Sequence, residues 1–322
     1  RDVERSRGLG DVYKRQIKEV KPQVVLGVGG GTKIDIAKLS SARQKVPFIS
    51  VPTTASHDGM ASPFASIKGL KRPYSIMAQS PIAIIADTDI IIRAPYRFIA
   101  SGCGDVVAKF TSTRDWILAH KRLKEYYAQY TASLALMSAR HVSENAALIE
   151  PGNEEGVRVL LEALVSCGVA MGIAGTSRPC SGSEHLFSHA LDMVAPKPAM
   201  HGEQCGVGTV MMAFLHRMRW KSIRDVLKKV GAPTTAEELG IAYEDVKFHK
   251  VNTDFTPVDA GSYSSRVTYM AGNAVKMAAA DAKRQLQEIA AQFWGVNPED
   301  VEIKNRTVFV RGAPDKSMPF RK

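Results

Sequence analysis

Three stretches of this chain carry residues whose types and spacing could do chemistry. The first is Gly27-Val-Gly-Gly-Gly-Thr-Lys-Ile-Asp35, set between an apolar run and an amphipathic segment. Glycines let a backbone approach a pyrophosphate closely, and the N–H groups at a helix start then face the anion. The same turn also suits a purely structural strand-to-helix junction. It is not the GxGxxG pattern, and no acidic residue for a ribose stands about 20 positions further on. The second stretch is Pro52-Thr-Thr-Ala-Ser-His-Asp-Gly-Met-Ala-Ser62. Its hydroxyls and one carboxylate could hold ribose, phosphate or substrate hydroxyls at the end of a strand. A helix N-cap at Asp58 or Ser62 is the plainer alternative.

The third group is Asp105, His185, His189 and His201. Asp105 stands in Gly-Cys-Gly-Asp, where a helix is expected to start. His185 and His189 are four apart in Ser-Glu-His-Leu-Phe-Ser-His-Ala-Leu, so on a helix they share one face. One carboxylate with two imidazoles suits a zinc ion that keeps an open coordination position. Taken singly, each histidine also suits a packed or surface position, and Asp105 an N-cap.

Elements must position these groups. Gln23 to Gly27 reads as a short buried strand, and a helix follows from about Thr32. Val46 to Val51 and Pro81 to Asp87 read as two more apolar strands. Apolar strands alternating with helical or loop segments predict a parallel α/β sheet. From about Ser101 the apolar residues recur at helical spacing, which predicts a mostly α-helical second region.

The chain has 322 residues, 45% hydrophobic and 23% charged, which is globular composition long enough for two domains. No apolar run is expected to approach the roughly 20 residues that span a bilayer, and Arg1 to Gln16 is not a secretory signal. A cytoplasmic protein without membrane insertion is the expectation. Cys103, Cys167, Cys180 and Cys205 form no CxxC pair and read as small buried thiols. The formal net charge of +11 is scattered, with no nucleic-acid-reading signature, so it favours small anions over DNA or RNA.

The strings GVGGGTKIDIAK, PFISVPTTASHDGMASP, PIAIIADT, SGCGDV, SRPCSGSEHLFSHALD, HGEQCGVGTVMM and KKVGAPTTAEELGI resemble the sn-glycerol-1-phosphate dehydrogenase family, from about Lys18 to Asp245. That family belongs with iron-dependent alcohol dehydrogenases, glycerol dehydrogenase and dehydroquinate synthase. The resemblance implies an N-terminal Rossmann-like parallel α/β domain, truncated here, followed by an all-α metal-binding domain of dehydroquinate synthase-like fold. It implies that Gly30, Gly31 and Asp35 help bind NAD or NADP, with Thr53, Thr54, Ser56 and Ser62 lining the same cofactor. Asp58 would contact substrate, Asp105, His185 and His201 would hold Zn²⁺, and His189 would sit beside the substrate. The implied reaction reduces dihydroxyacetone phosphate to sn-glycerol 1-phosphate, the backbone of archaeal ether lipids, in an enzyme that is homo-oligomeric in the intact family. Glycerol dehydrogenase or a dehydroquinate synthase-like enzyme is the weaker alternative.

Both ends depart from that family. Residues 1–16 are expected to be a leader unmatched in it, and the strand-helix-strand region that normally precedes the glycine turn is expected to be absent. Beyond Asp245 the expected closing helices give way to a stretch, about Val251 to Phe320, that resembles part of the large subunit of molybdenum hydroxylases. The expected organisation is therefore a leader (1–16), a truncated NAD(P)-binding domain (17–100), a helical metal and substrate domain (101–246) and a foreign α+β tail (247–322). The tail taken alone reads as a helix, Ala271 to Phe293, and a short hairpin. A chimeric reading frame is the expected account of this join, since a natural fusion would keep whole domains, and a catalytically incompetent chimeric fragment is a further alternative for function.

Overall fold

The computed structural model describes residues 12–67, 74–195, 197–241, 283–284, 286–304 and 307–319. Helix α1 (residues 12–20) leads to β1 (Val25–Gly29), the glycine turn, α2 (Gly31–Gln44) and β2 (Phe48–Pro52). β1 pairs parallel with β2 from Val25↔Phe48 to Gly29↔Pro52, and β2 pairs parallel with β5 (Ala83–Ile84). Between them an antiparallel ribbon, β3 (Phe64–Ile67) and β4 (Tyr74–Met77), was not legible as such in the sequence.

Two strand expectations need correction. β1 is not a buried strand: Leu26 and Val28, two apart on one face, are 53% and 58% exposed, because nothing among the described residues covers that face. The third strand is shorter than expected. Asp87 leaves it to cap helix α3 (Thr88–Ile91), accepting from the N–H groups of Asp89 and Ile90.

From Arg97 the first unit is helical: α4 (Arg97–Val107), α5 (Lys109–Leu123), α6 (Gln129–Glu144), α7 (Glu154–Ala174), α8 (Ser183–Val194), α9 (His201–Leu215) and α10 (Trp220–Lys229). One core joins the two parts, with Ile34 and Phe48 from the sheet layer and Ile99, Val106, Leu160, Leu164 and Leu227 from the helices. Contrary to the sequence expectation, α7 is long and apolar enough to cross a membrane by length and composition. Its buried side includes Val157, Leu160 and Leu164, which pack within this core, and Cys167 and Met171, which join Ala135 and Cys180 in a smaller cluster. α4 and α9 cross where glycine meets backbone. A Cβ on Gly104 would lie 2.1 Å from the Gly202 carbonyl oxygen, and one on Gly202 would lie 1.8 Å from that of Ser101.

The chain divides between Ser264 and Ser265 into two compact units. In the second, residues 286–294 are helical and β6 (Val301–Lys304), β7 (Thr307–Val310) and β8 (Ala313–Pro319) form an antiparallel meander. A short hairpin was the expectation after the helix, and the meander has one strand more. Ala291, Val301, Val308 and Val310 make a separate small core. The string from Asn252 to Arg266 and the first part of the expected Ala271–Phe293 helix lie outside the described residues.

Candidate functional site

Asp105 lies in the last turn of α4, so it is not an N-cap. It is fully buried and surrounded by groups that favour its charge. Oδ1 is 3.0 Å from Lys109 Nζ, one turn later across the α4–α5 junction, and 3.4 Å from His185 Nε2. Oδ2 accepts the backbone N–H of Asp58 at 2.7 Å. Burial alone would raise the Asp105 pKa; the Lys109 charge, then the His185 bond and charge, outweigh it and hold the carboxyl well below its usual range. Lys109 Nζ also lies 2.8 Å from Asp58 Oδ2, without the alignment of a hydrogen bond. Burial works against this fully buried ammonium, yet Asp105 and Asp58 raise its pKa well above normal.

α8 and α9 supply the imidazoles. His185 and His201 face each other with ring centroids 5.0 Å apart, and His189 stacks at 6.1 Å from His201. Burial would lower the His185 pKa, but Cys205, Asp105 and Glu184 raise it well above the ordinary value. His201 is pushed the other way, first by burial and then by the His185 charge. Donor atoms of Asp105, His185, His201 and Cys205 all fall within 4.8 Å of one another. A carboxylate and two imidazoles converging from three helices, with their outer atoms occupied by protein partners, fit a divalent transition metal.

A cavity of about 280 Å³ opens beside this cluster. Gly31, Asp35, Asp58, Ser62, His185, His189 and His201 are among its lining residues. Gly30, Thr53, Thr54, Ser56 and Asp105 are not. Thr54 stands beside the turn, its Oγ1 3.5 Å from where a Gly30 Cβ would be, and Thr53 donates its N–H to the Gly29 carbonyl. Ser56 is buried, its carbonyl accepting from Ser101. Asp35 is buried with both oxygens engaged, one 3.3 Å from Lys38 Nζ and one accepting the Ser66 N–H.

The loop after β2 is held in place from beneath. Fully buried Lys38 donates to the carbonyls of Gly59 and Phe64, each at 2.6 Å. Neither Asp58 nor Ser62 caps a helix; His57 does so, its Nδ1 accepting the Gly59 N–H at the short 3-10 turn Asp58–Met60. The His57 ring rests directly on Gly31, where a Cβ would lie 1.9 Å from Nε2. At the head of α2 no side chain caps the first turn, which leaves its amides facing outward.

Sequence reading missed Lys38, Lys109, Glu184 and Cys205. Lys109, four after Asp105, Cys205, four after His201, and Lys38, three after Asp35, carried a helical-face signal; Glu184 carried none beyond its position beside His185.

Comparison with known proteins gives the same picture. A model of the iron-containing alcohol dehydrogenase family matches residues 9–95, and one of the molybdopterin cofactor-binding domain matches residues 227–322. The first therefore begins inside the expected leader. The glycerol-1-phosphate dehydrogenase [NAD(P)+] of Thermococcus sibiricus is 61% identical over 217 residues, 67% of this chain and 62% of that protein. Its counterpart from Pyrococcus abyssi is 54% identical over 235 residues, 72% of this chain and 68% of that protein. The chain thus spans under two thirds of the Thermococcus relative's length. Among solved structures, a probable glycerol dehydrogenase from Sinorhizobium meliloti superposes with TM-score 0.63 at 21% identity, over 73% of this chain and 69% of that one. Glycerol dehydrogenase from Schizosaccharomyces pombe gives 0.62 at 25% identity, over 71% and 61%.

Proposed function

The chain belongs to the glycerol-1-phosphate dehydrogenase family, and from that premise we propose hydride transfer from NADH or NADPH to C2 of dihydroxyacetone phosphate, giving sn-glycerol 1-phosphate. The observation that carries this reading is the cluster of Asp105, His185 and His201, whose two histidines line a cavity that reaches the glycine turn at Gly31.

Asp105, His185 and His201 would hold the metal, which we propose to be Zn²⁺; when bound it supplies Lewis-acid polarisation of a carbonyl oxygen. The remaining work falls to the chain's own residues. The open amides at the head of α2, with Gly30 and Gly31, receive the dinucleotide phosphates. Thr53, Thr54, Ser56 and Ser62 border the same cofactor, and Asp35 braces the turn through Ser66 and Lys38. Asp58, restrained beside Lys109, accepts a substrate hydroxyl. His189, which lines the cavity next to His201, delivers the proton to the oxygen at C2 as hydride arrives at carbon. We place the enzyme in the cytoplasm as a homo-oligomer. We assign no molybdenum chemistry to the tail.

The test is NADH and NADPH oxidation by the zinc-loaded chain with dihydroxyacetone phosphate, beside glycerol oxidation, with Asp105→Asn as control. Turnover of the phosphorylated ketone that disappears in the variant supports the reading. Stoichiometric zinc without turnover would mark a metal-binding but catalytically incompetent chain.

A further inference from the structure

We propose that Glu184 and the Ser188–Gln204 pair are positioning residues that fix the tautomers of His185 and His201, so that each presents Nε2 to the site they share with Asp105. This rests on the reading of those two histidines as metal ligands.

Imidazole has two nitrogens, and which one binds a metal is set by the hydrogen bond the other makes. On His185, Nδ1 lies 2.8 Å from Glu184 Oε1. That oxygen also accepts the Gly182 N–H at 2.6 Å, and a peptide N–H can only donate. Glu184 Oε2 accepts the Thr111 hydroxyl at 2.6 Å. The carboxylate, fully buried, is thus locked at both oxygens and acts as acceptor toward the ring. A ring hydrogen belongs on Nδ1, and Nε2, 3.4 Å from Asp105 Oδ1, is the nitrogen turned toward the shared site.

His201 reaches the same state through a different relay. Its Nδ1 lies 3.0 Å from Ser188 Oγ. A serine hydroxyl has one proton, and that proton goes to Gln204 Oε1 at 2.7 Å. The Gln204 amide is oriented by donating from Nε2 to the Ala199 carbonyl at 2.9 Å and toward Asp192 at 3.4 Å. Ser188 Oγ must therefore accept from His201 Nδ1–H, which again leaves Nε2 for the site. None of Glu184, Ser188 and Gln204 lines the cavity, so all three act through the histidines.

The experiment uses the full chain, with Glu184→Leu and Ser188→Ala made separately because they remove the acceptors of histidines on two different helices. Zinc affinity is measured by competition with a chelating dye, apo thermal stability by circular dichroism, and tautomers by ¹⁵N NMR of histidine-labelled protein. The zinc-loaded wild type should show Nδ1–H signals for both rings. Each variant should bind zinc roughly tenfold to a hundredfold more weakly, and each should lose the Nδ1–H signature at its own histidine. A purely structural role would instead lower the apo melting temperature while leaving affinity and tautomers unmoved, and would overturn the proposal. Unchanged affinity in both variants while Asp105→Asn loses zinc would overturn it too, leaving the metal-site reading intact. A wild type that binds no zinc would sink both.

Discussion

The backbone N–H of Asp58 donates to the carboxylate of Asp105 across 2.7 Å, 47 positions further along the chain. That bond ties the loop after β2 to helix α4 at the group proposed to hold the metal. Lys109 completes the tie by facing both carboxylates from a fully buried position. The arrangement makes the loop and the ligand one mechanical unit.

Replacing Lys109 by Met should therefore leave the buried Asp58 carboxylate without its cation and Asp105 with only His185 beside it. A loss of about 3–5 kcal/mol is expected from breaking a buried ion pair on one side. Urea unfolding of the metal-free chain reads it, and Asp58→Asn in the same background should recover part of the loss. A change under about 1 kcal/mol, the scale of an exposed pair, would show that Lys109 is not what neutralises them.

Much of this site was legible in the sequence, and the remainder for a physical reason was not. His185 and His189 declared a shared helix face by their spacing, and the glycine turn declared a strand-to-helix junction. Spacing could not say that Lys38 would turn inward to two carbonyls, because lysine is rarely fully buried and its partners, Gly59 and Phe64, lie more than 20 positions away in the chain. The exposure of Leu26 and Val28 was equally hidden, since an apolar run reads the same whether or not a second layer packs on its face.

His216 supplies a pH test away from the metal. Its Nε2 is 2.6 Å from Asp115 Oδ1, and that bond raises its pKa above the ordinary 6.5, against the pull of burial. Burial would raise the Asp115 pKa, but bonds from His216 and Ser183 bring it below 3.8. A raised imidazole contributes stability at low pH and loses it as pH climbs through the folded value; the depressed carboxylate loses its share as pH falls through its own. The pair thus stabilises the window between the two. His216→Gln should cost about 1 kcal/mol or less at pH 6, given its partial exposure, and less at pH 9. Equal cost at both pH values would refute the ion pair.

Cys205 stands 3.6 Å from His201 Nε2 and could be mistaken for a fourth ligand. Burial pushes its thiol pKa up, and a catalytic metal keeps one position open for substrate. A cobalt-loaded chain should show no thiolate-to-cobalt absorption in the near ultraviolet, and Cys205→Ser should bind metal as the wild type does. A strong charge-transfer band lost in the variant would make Cys205 a ligand.

Apolar side chains on the outer strand and around β5 lie open, including Leu26, Val28, Ile82 and Ile85. An uncovered edge beside exposed apolar groups invites pairing with another chain. The isolated chain is expected to be poorly soluble and to bind a hydrophobic dye. A monodisperse preparation with one sharp, cooperative melting transition would contradict this.

The crossing of α4 and α9 at Gly104 and Gly202 bears on how freely this sequence can vary. Neither glycine has a functional group, yet any side chain there must push apart the helices that carry Asp105 and His201. In a saturation-mutagenesis screen these two positions should prove as intolerant as the ligands themselves. Such a screen, scored without the structure, would report them as catalytic when their contribution is only to leave space.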